Sequence, residues 1–155
     1  MRSSLLIAVL FGIACVPLPG FAQAAAAKIA PVDEYFGQTS ESILEIRNRI
    51  GEVETKSDAE MRTPTSLSDL DYFEDALVDW QHKYPHDPWV ADALSRTVSC
   101  YARAGANASA RAAELYAILT KTYPKSQAAE RAVFAMWEAP VVPYATQIAV
   151  APGRK

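Results

Sequence analysis

The chain has 155 residues, with 18 acidic and 15 basic side chains and a formal net charge of −3. That length supports one domain with a modest core once any processed segment is removed. A mildly acidic chain lacks the clustered Lys and Arg that nucleic-acid phosphates demand, which sets that class of partner aside.

The first residues have the three parts of a secretory signal. Arg2 and the amino terminus form a short positive region, an apolar run reaches Val16, and Pro17, Pro19 and Gly20 break it. The run is too short for a hydrocarbon layer about 30 Å thick, which needs about 20 residues. Ala22-Gln23-Ala24 then offers small residues in the A-x-A pattern, so cleavage is expected after Ala24 and the working protein is periplasmic or secreted. A rival reading takes Gly12-Ile13-Ala14-Cys15, which resembles a bacterial lipobox, and tethers the protein to a membrane through lipidated Cys15. Gly12 stands where that motif usually has leucine, which favours the cut after Ala24. Either way no later segment approaches membrane-spanning length. With the signal goes Arg2, leaving 14 basic against 18 acidic side chains, or −4. After that cut Cys100 is the sole cysteine, so no internal disulfide forms, and it reads as a core residue.

Residues 25–37 read as a linker. From Thr39 the pattern turns helical: Ile43, Ile46, Ile50 and Val53 make one stripe, with Glu45, Arg47, Arg49 and Glu52 facing away. Ser57 to Pro64 is polar and reads as a loop. A second helix carries Leu70, Phe73, Leu77, Trp80 and Tyr84 at spacings of three and four, with Ser68 as its cap and Pro85 as its stop. Asp87-Pro88 opens a third helix with Val90, Ala93, Leu94, Thr97, Val98 and Tyr101 on its apolar face. Residues 104–107 end it. A fourth, from about Ser109 to Thr122, buries Ala112, Tyr116, Leu119 and Tyr123, and a fifth, capped by Ser126, turns Ala129, Ala132, Val133 and Met136 inward. Residues 138–155 hold Pro140, Pro143 and Pro152 and read as an extended tail. The expected fold is all-α, about five helices over residues 38–137.

Two stretches match at a spacing of 39 residues: Lys83-Tyr84-Pro85-His86-Asp87 with Ala93-Leu94, and Thr122-Tyr123-Pro124-Lys125-Ser126 with Ala132-Val133. In both a helix ends in Tyr-Pro, and a capped helix starts two residues later. One helix hairpin cannot bury its apolar face alone, and stacking a second on it does. The stretch 66–137 resembles the tetratricopeptide repeat family, especially its bacterial envelope variety with Tyr-Pro-x-Ser/Asp junctions. The resemblance implies a short stack of antiparallel hairpins that holds a peptide or helix and serves assembly rather than catalysis. The expected function is therefore a non-catalytic module that binds another envelope protein, with no cofactor.

Asp71, Glu74, Asp75 and Asp79 share one side of the second helix and are the candidate surface for a basic partner segment; the plain alternative is a solvated face. His82 and His86, with Asp79 and Asp87, are the nearest thing to a metal-ligand set, but Pro85 falls between the histidines and should end the helix, so no metal is expected. No nucleophile, base and orienting group stand out together, and no Gly-rich phosphate loop is present. Trp80, Trp89 and Trp137 fit a helical core, and the alternative function is a small peptidoglycan- or glycan-binding protein or enzyme using them as an aromatic groove. Asn107-Ala108-Ser109 matches a glycosylation acceptor, which carries meaning only in a eukaryotic secretory pathway.

Overall fold

The computed structural model describes residues 28–138; the expected signal, Cys15, the first residues of the expected linker and the expected tail beyond Glu138 lie outside the described residues. Helix accounts for 72% of it, and the one strand pair is two residues long on each side, so the chain is all-α.

Strands β1 (Tyr35–Phe36) and β2 (Glu41–Ser42) pair antiparallel and lead into helix α1 (Ile43–Glu54). Ser42 starts α1 by a reciprocal cap: its Oγ accepts from the Glu45 N–H at 3.3 Å, and Glu45 Oε2 accepts from the Ser42 N–H at 2.7 Å. The stretch expected as a loop holds a single helical turn, α2 (Asp58–Met61), capped in the same way by Ser57 and Glu60. It exists because it delivers Met61 to the core, where the side chain is fully buried. Helix α3 (Pro64–Lys83) begins four residues before the expected cap Ser68. Thr63 Oγ1 accepts from the Ser66 N–H, and Pro64 sits in the first turn, where its missing N–H costs nothing.

The Tyr84-Pro85 junction leads to α4 (Val90–Ala104), whose expected apolar face is buried throughout. Gly105, at φ 85°, ends α4 with a backbone that side chains disfavour. A 3-10 turn (Ala106–Ala108) connects to α5 (Ser109–Thr122), and Tyr123-Pro124 to α6 (Gln127–Glu138), where Ser126 Oγ accepts from the Ala129 N–H at 3.1 Å. Helix α4 is central: α1, α3, α5 and α6 all pack on it. Ion pairs tie the margins, with Arg96 held by Glu54 from α1 and Arg131 of α6 by Asp92 of α4.

The end of the expected linker is packed instead. Ala30 and Phe36 are buried, and the Phe36 ring lies 6.1 Å from that of Trp80 and 6.0 Å, edge-on, from that of Tyr84. Burying a phenylalanine stabilises by roughly 1.5–3 kcal/mol, which offsets part of the entropy cost of ordering a strap that has no helix of its own. Gly37 makes the approach feasible. Its φ is +67°, and a Cβ there would stand 2.7 Å from the Ala76 backbone, so no other residue fits without displacement.

Candidate functional site

The four candidate carboxylates of α3 divide into two sets. Asp71 and Glu74 turn toward the helices. The single proton of the Tyr101 hydroxyl is shared between them, with Glu74 Oε2 at 2.5 Å and Asp71 Oδ1 at 2.8 Å. Glu74 is buried, and burial raises its pKa above the usual range, although Tyr101 and the Arg111 guanidinium, 3.5 Å away, favour the ionised form. Burial and the same carboxylates push the Tyr101 phenol up, so it stays a donor.

Asp75 and Asp79 turn toward the strap. Asp79 Oδ2 accepts from the Gly37 N–H at 3.0 Å and pairs with Lys83, also at 3.0 Å; Asp75 Oδ2 accepts from the Gln38 N–H at 2.7 Å. Burial works to raise the Asp79 pKa, but the Gly37 N–H and Lys83 outweigh it and hold the carboxyl below its ordinary value. These two carboxylates thus satisfy backbone donors that a two-residue strand leaves open. Asp87 does the same at the other end of the strap. Its Oδ2 accepts from the Ala30 N–H at 3.0 Å, and its Oδ1 from the Trp89 N–H, also at 3.0 Å.

A cleft of about 260 Å³ runs between α3 and α5. Val78, Leu115 and Ile118 give it an apolar floor, while Asp71, Glu74, Asp75 and Glu114 place four carboxylates around it against the single cation Arg111. Three of the four expected residues border it; Asp79 does not. Glu114 was not singled out from the sequence. Its only signal is its place one residue before Leu115, which gains meaning once α5 is seen to lie beside α3. A second hollow, about 380 Å³, lies where α2, α4 and α6 meet. Its arginines are largely engaged: Arg103 pairs with Asp58 at 2.8 Å and also donates to the carbonyls of Glu54 and Lys56, and Arg131 holds Asp92.

Other residues of interest fall elsewhere. His82 lies in the last turn of α3 and His86 beyond the Tyr84 that ends it, both exposed. Among the described residues no three His, Cys, Asp or Glu gather as metal ligands, and no helix is long and apolar enough to cross a membrane. Cys100 is buried, and burial pushes its thiol up to about 12, far from the thiolate needed for nucleophilic work. Trp80 is core. Trp89 is half-exposed, with the Arg47 guanidinium 4.2 Å over one face of its ring. Trp137 is 84% exposed. No protein-family model matches this sequence, and no curated protein or solved structure is detectably similar to it.

Proposed function

We propose that this chain is an exported, non-catalytic protein–protein interaction module of tetratricopeptide-like hairpins, which assists assembly or organisation of a cell-envelope complex. Its partner presents a basic amphipathic segment to the cleft between α3 and α5. The observation that carries this reading is the composition of that cleft: an apolar floor with carboxylates around it and one cation. Such a surface gains affinity from the floor, while the charges set the orientation of the partner and speed its capture. The hairpin reading is supported by two Tyr-Pro junctions that join α3 to α4 and α5 to α6, with α4 packed on both α5 and α6. Export is supported by the pattern of the first 24 residues.

A photo-crosslinking amino acid in place of Ile118, on the cleft floor, tests the reading in intact cells. The expected adduct is one envelope protein, joined through a segment rich in Lys or Arg that alternates with apolar residues at helical spacing. No adduct, or a scatter of unrelated ones, removes the cleft from consideration.

A further inference from the structure

Helix α6 carries the most exposed large apolar side chains of the helical core. Phe134 is 67% and Trp137 84% exposed, and at a spacing of three they lie on one side of the helix. Single exposed apolar residues need no explanation, but two adjoining aromatics on an otherwise polar face do. The opposite side of α6 is used in the usual way, with Ala128, Ala129 and Ala132 buried against α4 and α5. In a stack of hairpins each helix layer buries its apolar surface on the next, and an outward face that ends a stack is polar. The outward face of α6 is not: Trp137 stands in the open, and Arg131, Phe134 and Glu138 border the hollow toward α2 and α4 while remaining exposed.

The charges on that face say what fits. Arg131, Phe134 and Glu138 follow one another at spacings of three and four, so a cation, an aromatic and an anion form a single stripe. Turned about a two-fold axis beside Phe134 and laid antiparallel on itself, the stripe is self-complementary. Each Arg131 then meets Glu138 of the other copy, and the aromatics meet at the centre. A two-fold contact requires this property, since one patch must match itself. A foreign helix is not required to match it.

We infer that the outward face of α6 is a homodimer contact, formed by antiparallel pairing of α6 with α6 of a second copy. This surface is separate from the α3–α5 cleft and stands or falls independently of it. A helix of 12 residues offers less area than the roughly 800 Å² per partner of a stable interface, so the dimer is weak and depends on concentration.

Sedimentation equilibrium of the intact chain tests this. The expected mass rises from that of one chain toward two with concentration. Glu138→Arg sets two cations face to face and weakens the dimer by about tenfold, and adding Arg131→Glu restores it to within about threefold. The helical circular dichroism should stay unchanged, because both side chains are exposed. As Arg131 also pairs with Asp92 within its own chain, Arg131→Glu alone is measured as a control. A chain that remains a monomer throughout overturns the proposal. So does a dimer that Glu138→Arg leaves intact or that the exchanged pair fails to restore. A monomer that loses thermal stability on Trp137→Ser would instead assign the face to a segment of the same chain.

Discussion

Glu74 shows how a carboxylate counted among surface acids becomes structural. It is held between the Tyr101 hydroxyl and Arg111, and burial keeps its folded pKa above the reference value of 4.5. A carboxyl raised on folding is protonated more readily in the fold than in the unfolded chain. Its contribution to stability is therefore full below pH 4.5 and is lost as the pH rises through the folded value. Glu74→Gln keeps an acceptor for Tyr101 and carries no charge. The variant should accordingly gain stability relative to the parent between pH 4.5 and neutrality, by about 1 kcal/mol or less, given the opposing help of Arg111. Urea unfolding at acid and neutral pH measures this; a difference that stays constant, or that reverses, would contradict it. Glu41 is a second raised carboxyl, buried beside Arg49 at 2.8 Å but without a well-aligned hydrogen bond. Its titration runs in the same direction, so only the difference between the two proteins isolates Glu74.

Among the elements, helices with strong periodicity were legible and the strap was not. The apolar stripes of α1, α3 and α4 lie at the core in the expected register, because spacings of three and four admit no other buried face. Boundaries moved where caps competed. Thr63 with Pro64 outranked Ser68, and Ser57 with Glu60 raised one helical turn from a polar stretch. Segment 30–42 carries no period at all: it is held by one aromatic, one glycine and the carboxylates of other elements, none of which a local window reveals. The strap should thus be the first part to open. Phe36→Ala is expected to cost about 3 kcal/mol, within the range for truncated buried aromatics. In hydrogen exchange, the Gly37 and Gln38 amides should lose protection while those of α4 keep theirs. Equal loss in both would mean that the strap is part of the cooperative core.

For the molecule as a whole, the acidic character of α3 was legible, but its division was not, since a helix wheel does not say which neighbours arrive. The strap takes Asp75 and Asp79, and the central helix takes Asp71 and Glu74 through Tyr101. Reversing Asp75 or Asp79 would disturb the strap along with any partner. Glu114 is the cleaner probe: its side chain is 63% exposed, and among the described residues its ion pair is the exposed contact with Arg111 three residues away. The turn through Gly105 and the 3-10 segment folds α5 back onto α4, and with α3 packed on the same helix the cleft forms between two helices, neither of which has it alone.

Binding of a basic amphipathic segment in this cleft is open to measurement by fluorescence anisotropy with a labelled helical peptide of Lys and Leu at amphipathic spacing. A peptide with Glu in place of Lys serves as the control. The Lys peptide should bind the intact chain, bind about fivefold more weakly to Glu114→Lys, and weaken further as salt screens the charges. Equal binding of the two peptides, or Lys-peptide binding that Glu114→Lys leaves unchanged, would contradict it.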